Sequence, residues 1–162
     1  MTQHKPKPRL DDPALLAALL DIFEERVPFN KVVGMKVVSL DPAAPVFRFD
    51  MRPELVGNFM RGMLHGGVIS AVLDVACGAG VLLRAVEKHL DQGETIETQI
   101  GRFARIGTID LRIDYLRPGL GAWFVAKVEV MRSGNRVAVV RSELRNDSDE
   151  LIAIAVGAYT AG

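Results

Sequence analysis

The fold is decided by the stretch that reads HGGVISAVLDVACGAGVLL from His65 to Leu83. From Val68 to about Leu90 the chain carries apolar side chains on nearly every side of a helix. Cations follow near the end of this run, where they favour the helix dipole, at Arg84, Lys88 and His89. Because a helix that is apolar nearly all round must be covered on most sides, we expect one long buried helix at the centre of the fold.

The same run invites a membrane interpretation, which its length and its acid both disfavour. Val68 to Leu83 is shorter than the roughly 20 residues that a membrane span needs. Asp74 near its centre would cost on the order of 3 kcal/mol in a bilayer. The N-terminal residues MTQHKPKPRLDDP hold charges and prolines instead of the apolar core of a signal peptide. We therefore expect neither a membrane span nor export.

Composition indicates one domain of ordinary globular type. The 162 residues are 49% hydrophobic and 25% charged, and 20 Lys and Arg balance 20 Asp and Glu, so there is no general attraction to nucleic acid or to anionic membranes. Residues 1–9 are expected to be a solvated tail, and residues 10–162 a single domain. Cys77 has no cysteine to pair with, which fits a reducing compartment and predicts a cytoplasmic protein.

Upstream of the central helix, the pattern predicts an additional N-terminal helix and a hairpin. Apolar residues recur at helical spacing within 14–27, with Asp12 as the N-cap and Pro13 in the first turn, and Pro28 should end the helix. Segments 35–40 and 46–51 are typical of two strands joined by a proline-bearing turn.

Downstream, the period of the pattern changes from helical to two. Residues 109–115 alternate apolar and charged side chains, which predicts a half-buried strand that stops before Pro118. Three further strands are expected at 123–131, 136–144 and 151–159. We predict that the four strands pair as an antiparallel meander within one curved sheet that wraps the central helix, an α+β fold.

Asp74 is the most unusual side chain of the central helix. Between Gly62 and Leu83, the other ionisable groups are His65 and Cys77. A helical arrangement places Asp74 on one face with mostly small residues, namely Gly67, Ser70, Cys77, Gly78 and Val81. A carboxylate in such surroundings suits a general base or a nucleophile. Alternatively, Asp74 caps a neighbouring turn or pairs with an arginine such as Arg112.

The pair Gly66-Gly67 at the start of the helix offers backbone donors. The first N–H groups of a helix have no partner within it, and glycine has no side chain to obstruct them. With the positive end of the dipole, they can polarise a carbonyl or hold an oxyanion. The other interpretation is a tight turn that simply requires glycine.

Two motifs resemble one enzyme family. The stretch from His65-Gly66-Gly67 to Asp74 resembles the HGG-x6-D signature of PaaI-type thioesterases. Gly107 to Pro118, which ends in Tyr-Leu-Arg-Pro, resembles the strand that follows in that family. The order of elements is also similar, and the resemblance covers roughly residues 30–160. It implies a hotdog fold, in which a curved antiparallel sheet wraps a long helix, and hydrolysis of an acyl-CoA to a free acid and coenzyme A.

The resemblance also implies roles for individual residues. Asp74 would activate water as a general base or attack as a nucleophile. Gly66, beside Gly67, would donate its N–H to the thioester oxygen, and His65 would support that loop. Thr108 falls where relatives often place a Ser or Thr that orients the water.

Asn58 departs from the family pattern, and the role implied for Thr108 conflicts with the alternation of its strand. Asn58 lies seven residues before His65, whereas relatives usually carry an Asn six residues before it, so the role of Asn58 is open. Strand alternation places Thr108 on the side of Asp110 and Arg112, away from the apolar face of its strand.

The implied partners are acyl-CoA and a second copy of the chain. In the family the site lies between two subunits, so Gly66 and Asp74 of one site would come from different chains, and two dimers often associate. Candidate contacts to coenzyme A phosphates are four arginines, each otherwise an ordinary surface charge: Arg61, Arg117, Arg132 and Arg136. No cofactor and no metal is predicted, because the three histidines form no ligand cluster in the sequence.

Two other functions stay open. A non-catalytic acyl-CoA-binding hotdog protein would keep the pocket without hydrolysis. A hotdog enoyl-CoA hydratase or dehydratase is the less favoured alternative, because those enzymes place their His and acid differently.

Overall fold

The computed structural model describes residues 10–92 and 94–161, and within them eight strands form two antiparallel sheets. The strands are β1 (Lys36–Ser39), β2 (Val46–Asp50), β3 (Val56–Asn58), β4 (Met63–Leu64), β5 (Thr108–Tyr115), β6 (Trp123–Ser133), β7 (Val137–Asn146) and β8 (Leu151–Thr160). The main sheet has the order β1-β2-β6-β7-β8-β5, and β3 pairs with β4 in a small hairpin. The predicted tail, residues 1–9, lies outside the described residues.

Four α-helices accompany the sheets in the described part of the chain: α1 (Pro13–Asp21), α2 (Pro28–Val33), α3 (Gly66–His89) and α4 (Ile96–Gly101). α1 begins as predicted, with Asp12 Oδ1 accepting the Ala14 N–H at 2.8 Å, and continues as a π-helical turn over Ile22–Arg26. It buries Leu15 and Leu19 and packs against α4.

α3 is the core helix. It packs against β6, β7 and β8, and its buried side chains include Leu73, Leu82 and Leu83. A Cβ on Gly80 would lie 2.8 Å from Val128 Cγ1, so the helix backbone approaches the sheet closely at this glycine. α3 is long and apolar enough to cross a membrane, but more than half of its most apolar stretch is buried inside the domain. This confirms the α+β prediction of a long central helix covered by a curved antiparallel sheet.

The predicted four-strand meander is wrong for its first strand. β6, β7 and β8 are consecutive neighbours, but β5 pairs with β8, and β6 pairs with β2. The connection from β5 to β6 does not make a tight turn. It runs beside the start of α3, where the Gly119 carbonyl accepts the Leu64 N–H at 2.9 Å. β5 therefore lies at one edge of the main sheet.

Three short elements were not predicted: α2, the β3–β4 hairpin and α4. α2 and α4 have six residues each, too few to show a clear helical period. In the hairpin, a Cβ on Gly57 would lie 2.7 Å from His65 Cα. This glycine therefore lets the hairpin approach the first residue of the central motif.

Candidate active site

His65 caps α3 through its side chain. Its Nδ1 accepts the Gly67 N–H at 2.8 Å, so Nδ1 carries no proton in this arrangement. The backbone N–H of His65 donates to the Leu55 carbonyl at 2.8 Å. A Cβ on Gly67 would lie 2.9 Å from Nδ1, which explains why a glycine follows here. The ring position thus depends on the second glycine of the motif.

This cap leaves one donor of the first helical turn available. The N–H groups of Val68 and Ile69 donate to the His65 carbonyl, and that of Gly67 donates to the ring. Among the described residues, the Gly66 N–H has no acceptor. The Gly66 carbonyl accepts the Tyr115 hydroxyl at 3.2 Å, which ties this peptide to β5. A free donor therefore stands at the positive end of the helix dipole.

The half-buried carboxylate of Asp74 is held by two hydroxyl groups. Thr108 Oγ1 donates to Asp74 Oδ1 at 2.8 Å, and the Tyr159 hydroxyl donates to the same oxygen at 2.9 Å. Neither Lys nor Arg of the described chain lies within ion-pair distance of it. Arg112 instead pairs with Asp114 at 3.0 Å, so the Asp74–Arg112 alternative is wrong.

A β-bulge explains how Thr108 reaches Asp74. Thr108 is opposite Tyr159 and Asp110 is opposite Ala158, so Ile109 is an extra residue in the β5 ladder. The bulge shifts the alternation and turns the Thr108 hydroxyl toward α3. The expectation that Thr108 faces away with Asp110 was therefore wrong, because simple alternation holds only for an unbroken ladder.

Behind Asp74 lies a buried polar group that the sequence did not reveal. Tyr159 is only 1% exposed and faces α3 from β8. Burial, with the nearby Cys77 and Asp74, raises the pKa of Tyr159 well above its ordinary range, so its hydroxyl stays a donor. A tyrosine hydroxyl on the inner face of a strand needs a partner, but sequence alone does not say which one.

Cys77 is part of the same interior and not of the reactive surface. Its Sγ donates to Ser142 Oγ at 3.2 Å. Burial raises the pKa of the Cys77 thiol to about 11, with a smaller contribution from the Asp74 charge. At neutral pH the thiol is therefore protonated and a poor nucleophile.

The remaining predicted residues do not converge on one point. Asn58 is exposed on β3, and its carbonyl accepts the N–H of Arg61 at the hairpin tip. Arg117 donates to the Leu151 carbonyl, at the end of β5 where Tyr115 meets Gly66. Arg132 and Arg136 are exposed near the β6–β7 turn, at the opposite end of the sheet. The four arginines form no single cluster.

The family model described as "Thioesterase superfamily" matches residues 61–153, more than half of the chain and the part that carries the motif. This chain belongs to the thioesterase superfamily. This thioesterase is 42% identical over 144 residues to the Medium/long-chain acyl-CoA thioesterase YigI of Salmonella typhimurium, covering 88% of this chain and 90% of that protein.

Solved structures give the same assignment. A protein from Shewanella oneidensis related to the thioesterase superfamily superposes on this thioesterase with a TM-score of 0.83 and 38% identity, covering 93% of this chain and 99% of that one. The phenylacetic acid degradation protein PaaI from Thermus thermophilus has a TM-score of 0.64 and 25% identity, covering 83% and 99% of the two chains. These matches confirm the hotdog fold and the PaaI-type resemblance.

Proposed function

We propose that this chain hydrolyses acyl-CoA thioesters to a free acid and coenzyme A. The observation that carries the proposal is Asp74, a half-buried carboxylate held by Thr108 and Tyr159 and paired with no cation in the described chain. The similarity of the chain to a relative named as a medium/long-chain acyl-CoA thioesterase supports acyl-CoA as the substrate and favours acyl groups of that length. A cytoplasmic location fits this substrate.

The chemistry combines the two ends of the HGG-x6-D motif. The Gly66 N–H donates to the thioester oxygen and stabilises the negative charge that develops there. Asp74 either takes a proton from the attacking water or attacks the carbonyl carbon itself to give an anhydride that water then hydrolyses. In both routes the sulfur–carbon bond breaks and coenzyme A leaves. Thr108, which donates to Asp74, has lone pairs free to orient the water.

One site needs two chains. Gly66 and Asp74 are eight residues apart on α3, which corresponds to roughly 12 Å along the helix. A base and an oxyanion donor each act over about 3 Å, so this separation is too long for one carbonyl and one water. We propose that Gly66 acts on a thioester with Asp74 of a second copy, while His65 and Gly67 hold Gly66 in place.

The accessible side of α3 favours such a dimer. From Gly67 to Gly78, the residues that are not fully buried are Asp74, two valines and a set of small side chains: Val68, Val75, Gly67, Ser70, Ala71 and Gly78. Ser70 lies midway between Gly66 and Asp74, so a twofold axis near it brings each Gly66 toward the partner's Asp74 when the helices run antiparallel. Edge strand β5, where Ile109 is 55% and Tyr115 54% exposed, is available to extend the sheet across the same axis. Gel filtration and light scattering test this dimer and its further association into a dimer of dimers.

Coenzyme A binding is proposed for the exposed arginines. Arg117 lies at the Gly66 end of β5, and Arg61 is at the tip of the adjoining hairpin, so these two are the first candidates for phosphate contacts at that end. Arg132 and Arg136 are candidates at the other end. Alanine variants of these four arginines, made singly, should raise KM for acyl-CoA while leaving kcat unchanged. The variant Asn58→Ala tests whether an asparagine seven residues before His65 contributes to turnover.

The test of the function is release of free thiol from short, medium, long and aromatic acyl-CoAs. We expect turnover by wild type and its loss in Asp74→Ala, with the folded state verified by circular dichroism. No turnover by wild type, or full turnover by Asp74→Ala, would contradict the proposal. Tight acyl-CoA binding without thiol release would indicate the binding protein, and hydration of an enoyl-CoA would indicate the hydratase.

A further inference from the structure

The two oxygens of the Asp74 carboxylate have different surroundings. Thr108 Oγ1 at 2.8 Å and the Tyr159 hydroxyl at 2.9 Å both donate to Oδ1. Among the described residues, Oδ2 accepts no hydrogen bond, since both donors contact Oδ1. We infer that Tyr159 is a positioning residue that, with Thr108, fixes Oδ1 and thereby makes Oδ2 the reacting oxygen. This inference rests on the proposed thioester hydrolysis.

The physical reason is rotation of the carboxylate. An aspartate χ2 angle is broad and roughly twofold, so a free carboxylate exchanges its oxygens easily. Hydrogen bonds to an ionised acceptor are about twice as strong as neutral ones, and two of them on one oxygen break this symmetry. The carboxylate is then held in one orientation before substrate arrives, as preorganised catalysis requires.

The Tyr159 ring packs against two glycines, Gly157 and Gly78. A Cβ on Gly157 would lie 2.8 Å from the ring atom Cε2, and a Cβ on Gly78 would lie 4.0 Å from Cε1. Gly157 does not have the positive φ that demands glycine. A Cβ there would also lie 2.9 Å from the Asp110 carbonyl oxygen and 2.9 Å from Leu111 Cδ1, so the ring and strand β5 together leave room only for glycine. The sequence Gly157-Ala158-Tyr159 therefore places one hydroxyl behind Asp74.

Burial separates the roles of the two donors. Thr108 is exposed and lies on the side from which water approaches. Tyr159 is 1% exposed and has no route to substrate. Tyr159 therefore acts on the reaction through Asp74, and its removal should change the rate of the bound complex more than substrate binding.

The experiment compares Tyr159→Phe with Ser142→Ala in the thiol-release assay. Tyr159→Phe keeps the ring and removes the hydroxyl, and we expect kcat to fall about 10-fold to 100-fold with KM within about twofold of wild type. Ser142→Ala removes the hydrogen bond to Cys77 from the same interior without touching Asp74, and should leave kcat unchanged.

Several results would overturn the inference. These are an unchanged kcat in Tyr159→Phe, a loss that appears in KM alone, or an equal loss of kcat in Ser142→Ala. Wild type and Asp74→Ala are measured in parallel: an inactive wild type rejects the proposed function, whereas an active wild type with a fully active Tyr159→Phe rejects this inference alone.

Discussion

Replacing Gly66 with proline should remove the oxyanion donor and little else. Proline lacks the N–H and is favoured in the first turn of a helix, and this N–H has no acceptor in the described chain. The preceding residue, His65, has φ −65° and ψ 134°, which suits a position before proline. A Cβ at position 66 would lie 3.6 Å from Tyr115 Cε1, an ordinary contact. The helix should therefore form as before.

The expected magnitude follows from the lost hydrogen bond. Removal of one oxyanion donor typically costs a factor of about 100 to 1,000 in kcat, so Gly66→Pro should lose that much in thiol release. The free energy of unfolding in urea should change by less than about 1 kcal/mol. Gly66→Ala is the matched control, because it adds the same Cβ and keeps the N–H. A Gly66→Pro enzyme with kcat within about threefold of wild type, or a Gly66→Ala enzyme just as impaired, would show that the Gly66 N–H is not the oxyanion donor.

Three other predictions address the surroundings of the site. Thr108→Val should lower kcat about 10-fold and Thr108→Ser should keep kcat near that of wild type, because the hydroxyl and not the methyl group contacts Asp74. Equal kcat values for the two variants would contradict this. Cys77 should react with a thiol reagent at pH 8 only after unfolding, because burial raises its pKa to about 11; rapid labelling of the native protein would contradict this. Gly80→Ala should lower the free energy of unfolding by about 1 kcal/mol, because the crowding of its Cβ against Val128 outweighs the higher helix propensity of alanine. Increased stability in urea would show that the packing is looser.

Most of the fold could be predicted from local sequence patterns. The central helix, the Asp12 cap and the positions of the six strands of the main sheet could be predicted because side-chain period and capping depend on neighbouring residues. The pairing of β5 with β8 could not, since it depends on the path of the chain past Leu64 and Gly119 at the start of α3. The helices α2 and α4 are too short for a period to be read.

The candidate site was predictable in part for the same reason. Asp74 stood out because it is an isolated acid in an apolar run, and a role for Thr108 in orienting the water was implied by family resemblance. The hydrogen bond between the two residues was not predicted. The side of the strand on which Thr108 lies was predicted wrongly, because the bulge at Ile109 is a property of strand pairing. Tyr159 lies 85 residues from Asp74, and no local pattern connects the two.

A mixed dimer tests the proposal that each site combines Gly66 of one chain with Asp74 of another. Asp74→Ala and Gly66→Pro chains would be co-expressed with different tags, and the heterodimer purified by both tags. One of its two sites then has both groups intact, so we predict about half of the wild-type kcat per dimer, far above either parent homodimer. A heterodimer no more active than its parents, under conditions where wild type is fully active, would show that the site is not shared.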